Sequence, residues 1–111
     1  MSAEQLTQGD KGYFEAISFK SSNKPLPGQN HRSSNNYDFS TLNSDGEWEF
    51  VVPSGISFDI KEDKTGTDPV LQQGVTNGSK ANPSLKGKKL AYVSDPKGAT
   101  GDFVITLKRI H

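Results

Sequence analysis

The chain has 111 residues, with thirteen Lys or Arg against thirteen Asp or Glu and no cysteine. That length holds one domain, 1–111, and no second core of useful size. Zero net charge argues against nucleic-acid or membrane-surface partners, and the missing cysteines exclude disulfides, thiolate catalysis and Cys-type zinc sites.

Hydrophobic residues make up only 31%, yet six Phe, three Tyr and one Trp mark a folded domain rather than a disordered chain. The opening MSAEQLTQGDKG has no apolar run, so it reads as neither a secretory signal nor a transit peptide. The expectation is a cytoplasmic chain, or one released without a signal, in which 1–11 is a flexible lead-in. No apolar stretch approaches the roughly 18 residues of a membrane span. Charge is unevenly spread: residues 1–63 carry ten acids and five bases, and 64–111 carry three acids and eight bases. Either the halves neutralise each other within the fold, or the molecule is dipolar and associates with its own copies.

In chain order, a short helical turn is conceivable at 3–7, followed by a strand within 12–20 that is apolar on both faces. The segment 21–36 is sixteen residues with almost nothing apolar, long enough to be a functional loop. Tyr37 and Phe39 then alternate with Asp38 and Ser40. Trp48, Phe50 and Val52 alternate with Glu47, Glu49 and Val51, the pattern of a half-buried strand. Pro53-Ser54-Gly55 breaks it, and Ile56, Phe58 and Ile60 repeat the alternation. Val70–Val75 is a weaker strand, and 76–88 is a second long polar loop. Residues 89–94 are apolar on both faces, as a central strand would be. Asp95-Pro96 and 98–101 read as turns, and Phe103, Ile105 and Leu107 close the series. Six to eight short strands, with almost no helical periodicity, predict an all-β antiparallel sandwich, with a small barrel as the alternative.

Catalytic constellations are thin. His31 lies near Ser33, Ser34 and Asp38, but no G-x-S-x-G elbow accompanies it, and triads are assembled from distant parts of a scaffold. Glu47 and Glu49 share one strand face without the cleft that glycoside hydrolysis needs. No phosphate-binding glycine motif occurs. Lys80, Lys86, Lys88 and Lys89 lack the arginines and exposed aromatics of a base-stacking surface. Asn77-Gly78-Ser79 is a glycosylation sequon, relevant only to a secreted chain. The expectation is a non-enzyme.

Two binding constellations remain. Asp59, Glu62, Asp63 and Asp68 gather hard oxygen donors within ten residues and are candidate calcium ligands; no other cofactor is indicated. Asn30, His31, Arg32, Asn35, Asn36, Tyr37 and Asp38 combine amides, charge and an aromatic ring, the set that sugar hydroxyls and a sugar's C–H face require. The same residue types also build ordinary turns. The leading expectation is a lectin-like carbohydrate-binding module using loop 21–37, with a glycan or another protein as its partner. The alternatives are a self-associating structural protein, such as a phage or capsid component, and a small inhibitor or toxin-like protein.

Overall fold

A computed structural model describes residues 4–5, 16–22, 28, 32–42, 46–98 and 101–110. Strands β1 (Glu4–Gln5), β2 (Ala16–Ser21), β3 (Trp48–Val51), β4 (Ser57–Glu62), β5 (Val70–Val75), β6 (Ala91–Lys97) and β7 (Phe103–Arg109) carry the fold, with two short 3-10 turns, Phe39–Thr41 and Pro83–Leu85. They form two antiparallel sheets, ordered β1-β2-β7-β3 and β5-β4-β6. The expected all-β sandwich is what the chain adopts. Among the described residues no helix is long and apolar enough to cross a membrane.

Period-two alternation decides what each strand buries. Trp48 and Phe50 of β3, Phe58 and Ile60 of β4, and Phe103, Ile105 and Leu107 of β7 all point into the space between the sheets. Phe58 joins the two layers: its ring lies 6.1 Å from Phe50, edge to face, and 6.3 Å from Phe103. Such ring pairs add roughly 0.5–1.5 kcal/mol beyond their burial.

Three expectations are revised. The turn considered at 3–7 does not form at Glu4–Gln5, which pair with Ile17 and Ser18 of β2; the remainder of 1–11 lies outside the described residues. Asp95-Pro96 is not a turn between strands but an interruption inside β6. Ser57 and Asp59 of β4 face Lys97 and Ser94, so β6 spends three residues where β4 spends two. The extra residue is accommodated as a bulge, with Asp95 in the left-handed region at φ 53°. On the other side of β4, Phe58 and Ile60 face Val75 and Gln72, and Gly74 takes φ 65° there. This second bulge is why Val70–Val75 alternates poorly in sequence.

The third revision concerns loop 21–36. Ser21 ends β2, and residues 32–37 do not wander over the surface. They lie along β6, bridging Arg32 to Ser94 and Tyr37 to Ala91. That explains four consecutive buried residues, Ala91–Ser94, on a strand with only one full ladder partner. Beyond Tyr37, Phe39 and Leu42 cross the end of the sandwich and enter the core, and the Tyr37 and Phe39 rings stack at 6.0 Å.

At the turn after β6, an added Cβ on Gly98 would sit 2.0 Å from the Gly55 carbonyl oxygen, and the residue has φ +83°. Both the contact and the left-handed backbone demand glycine. Gly98→Ala is therefore expected to cost about 3 kcal/mol or more. Gly101→Ala, where nothing lies within 4 Å of the added carbon, is expected to change stability by about 0.5 kcal/mol or less. Urea unfolding of both variants checks the difference.

Candidate functional site

The site is built on the docking of 32–37 against β6. The Ser33 amide donates to the Val93 carbonyl at 2.8 Å, and the Val93 amide donates back to the Ser34 hydroxyl at 2.9 Å. A serine side chain thus takes the place of a ladder carbonyl. Tyr37 and Ala91 exchange both backbone bonds, at 2.6 and 3.2 Å. Arg32, Asn35 and Asn36 are thereby fixed at the margin of the three-stranded sheet.

Arg32 lays its guanidinium 4.1 Å above the Tyr92 ring and places Nη2 3.0 Å from Asp63 Oδ2. The same carboxylate oxygen accepts from Asn36 Nδ2 at 2.8 Å. The Tyr92 hydroxyl donates to Asp68 Oδ2, and Asp68 Oδ1 accepts from the Lys64 amide at 3.0 Å. Residues from both sequence constellations thus converge: Arg32 and Asn36 from the loop, Asp63 and Asp68 from the acidic run. Tyr92 holds them together, and sequence reasoning missed it because 89–94 reads as core on both faces.

The electrostatics follow the contacts. The bond from Asn36, then that from Arg32, holds the Asp63 carboxyl below its ordinary value. The Tyr92 hydroxyl, then the Lys64 amide, does the same for Asp68. Burial, reinforced by the Asp68 carboxylate, pushes the Tyr92 hydroxyl up to about 12. At neutral pH the cluster is therefore a fixed array in which both carboxylates accept hydrogen bonds rather than donate protons.

The remaining candidate residues scatter. Tyr37 is corrected from a sugar-stacking ring to a core residue: it is 2% exposed, and its hydroxyl donates to the Ser18 carbonyl at 3.3 Å. Its alternation with Phe39 was already the signature of burial. Asp38 caps the 3-10 turn Phe39–Thr41, accepting from the Ser40 amide at 2.9 Å and from the Ser40 hydroxyl. Asn35 is exposed. Asn30 and His31 lie outside the described residues.

The four candidate calcium ligands are not brought together. Asp59 and Glu62 are three apart on β4, so the pleat sends them to opposite faces. Asp59 Oδ1 accepts from the Gly74 amide at 2.8 Å, whereas Glu62 lies 3.7 Å from Lys88 Nζ and 3.9 Å from Lys64 Nζ. Asp63 and Asp68 serve the Arg32–Tyr92 cluster. Among the described residues no group of three or more acids or histidines is placed to hold a metal ion.

Beside the cluster, the end of β2, residues 33–35 and Asp102 enclose an open pocket of about 170 Å³. The Ser21 hydroxyl and the Ser22 amide both donate to the Ser33 carbonyl, at 2.9 and 3.2 Å, and so tie its two walls together. Two buried side-chain atoms among the described residues have no hydrogen-bond partner, Ser33 Oγ and Asn36 Oδ1. Both belong to the docked segment. Comparison of the chain with known protein families, curated proteins and solved structures gives no match.

Acidification tests the cluster. Because Asp63 and Asp68 titrate lower folded than unfolded, their contribution to stability is complete above the ordinary carboxyl range and is lost as pH falls through the folded values, below about 4. The melting temperature is expected to be steady from pH 7 to about pH 5 and to fall below about pH 4. The Asp63→Asn/Asp68→Asn double variant is expected to start lower and to fall less. Asp38, held low by the Ser40 hydroxyl and amide, leaves it a residual slope. Thermal unfolding across the pH range measures all of this.

Proposed function

We propose that this chain is a non-enzymatic binding module of lectin-like type, taking carbohydrate on the docked segment 32–36. The observation that carries the reading is the array on that segment, where Arg32 and Asn36 both bond Asp63 Oδ2 and so hold a guanidinium, an amide and a carboxylate in fixed relation. The neighbouring groups suit a polyhydroxylated partner. Asn36 and Asp63 present an amide and a carboxylate already bonded to each other, 2.8 Å apart, so little side-chain entropy remains to be lost on binding. Arg32 is held between Asp63 and the Tyr92 ring, which fixes its guanidinium beside them.

The reading differs from the sequence expectation in one respect. Tyr37 is buried and Tyr92 is only 6% exposed beneath Arg32, so neither described ring offers an open face to a sugar. Recognition then rests on hydrogen bonds to hydroxyls rather than on stacking.

A glycan array probed with the labelled chain, with calcium and with chelator, tests this. Selective binding to a few related glycans is expected in both buffers, with at least a tenfold loss in Asn36→Ala while the circular dichroism stays that of a β protein. A blank array from folded protein, together with a salt-sensitive oligomer in light scattering, would replace this reading with self-assembly.

A further inference from the structure

We infer that Asn77 is a site of spontaneous conversion to isoaspartate, gated by release of residues 77–81 from β3, and that conversion uncovers the edge of that strand. Asn77 is the only asparagine in the sequence followed by glycine. A glycine amide has no side chain beside it, so it is the least hindered nucleophile for the preceding side chain. The reaction joins Gly78 N to Asn77 Cγ and breaks the Cγ–Nδ2 bond, and the proton of the attacking amide leaves with the amine as ammonia. Water then opens the resulting succinimide. Attack at Cγ gives aspartate, and attack at the Asn77 main-chain carbonyl carbon gives isoaspartate, with the main chain now running through Cγ. Both residues are exposed, so water reaches them.

The fold ties up both reacting groups. β3 pairs with β7 on one side, and residues 78–81 run along the other. There the Phe50 amide donates to the Ser79 carbonyl at 2.7 Å, the Ala81 amide donates to the Trp48 carbonyl at 2.9 Å, and Glu49 bridges to Lys80. In that register the Gly78 amide donates to the Phe50 carbonyl at 2.9 Å, and Asn77 Oδ1 accepts from the Val52 amide at 3.1 Å. The first bond holds on Gly78 N the proton it must lose to attack. The second binds the Asn77 side chain to the residue that follows β3. The turn itself is closed by the Ser79 amide on the Thr76 carbonyl at 3.0 Å and by the Thr76 amide on Ser79 Oγ at 2.9 Å. Cyclisation therefore needs this segment to open, and its native rate is the rate of the free chain scaled by the open fraction. Isoaspartate lengthens the main chain between Thr76 and Ser79 by one carbon and removes the side-chain amide that Val52 donates to. The segment then no longer fits its register, and β3 is left with unpaired backbone groups along one side.

Incubation of the full chain in mildly alkaline buffer, native and in denaturing urea, followed by peptide mass mapping with isoaspartate detection, is the test. Conversion is expected at Asn77, at least tenfold slower in the native protein than in urea. Subdenaturing urea is expected to leave the native rate nearly unchanged, because a local opening exposes little surface. Ser79→Ala removes the acceptor of the Thr76 amide without touching either reacting atom. It is expected to speed native conversion about fivefold, the worth of one hydrogen bond, and to leave the rate in urea as it was. In the converted protein, hydrogen exchange at the Phe50 and Val52 amides is expected to rise. Conversion mapped to another asparagine, or none in urea, would overturn the site. Equal native and urea rates, a native rate that climbs in step with global unfolding, or an unchanged native rate in Ser79→Ala would overturn the gate. Unaltered exchange at Phe50 would overturn the uncovering of β3. If Ser79→Ala fails to fold, the wild-type rates across the urea series decide the gate.

Discussion

The pairing of residues 32–37 with β6 is the interaction on which the rest of the molecule depends. Without it, β6 would present a bare row of amides and carbonyls at the margin of a three-stranded sheet, the geometry that invites pairing with other chains. With it, the margin is closed by the protein's own backbone. The same contact delivers Tyr37 and Phe39 to the end of the core and hangs Arg32 and Asn36 over the outer face. Core, margin and candidate site thus share one set of hydrogen bonds.

Its energetics are mixed by design of the residues involved. Backbone bonds at Ser33 and Tyr37 are ordinary ladder bonds, whereas the Ser34 hydroxyl contributes one from a side chain. The Arg32–Asp63 pair is partly exposed, so its worth in water is small. Its role is geometric: together with the bond from Asn36 it fixes the Arg32, Asn36 and Asp63 side chains relative to one another, with Arg32 over the Tyr92 ring. Aromatic burial at Phe58, by contrast, supplies cohesion between the layers.

Much of this was legible in the sequence, for a physical reason. Strands β3, β4 and β7 each have one dry face and one wet face, and Trp48, Phe50, Phe58, Ile60, Ile105 and Leu107 alternate accordingly. What escaped was whatever departs from period two. Asp95-Pro96 has the composition of a turn, and only a bulge reconciles it with a continuing strand. Ser33, Ser34, Asn35 and Asn36 have the composition of a loop, and their role as an edge depends on contacts some sixty residues away in the chain. The Arg32–Asp63 meeting is equally non-local, so the two candidate sets looked separate. Tyr92 was hidden because a strand covered on both sides reads as uniformly apolar.

The paired bulges on either side of β4 carry a consequence for how the chain finds its partners. Gly74 and Asp95 each occupy a left-handed backbone position beside Asp59, one on each neighbouring strand. If either neighbour slid along β4, Asp95 or Gly74 would carry that conformation into a stretch of regular ladder, or would have to surrender it and leave the opposing strand one residue out of step. For a non-glycine residue, the left-handed state is tolerated only where the surroundings demand it, at a cost of about 1–3 kcal/mol. The sheet is in effect notched: β4 is keyed to both neighbours at the same level, and a slipped alignment on either side carries that backbone cost.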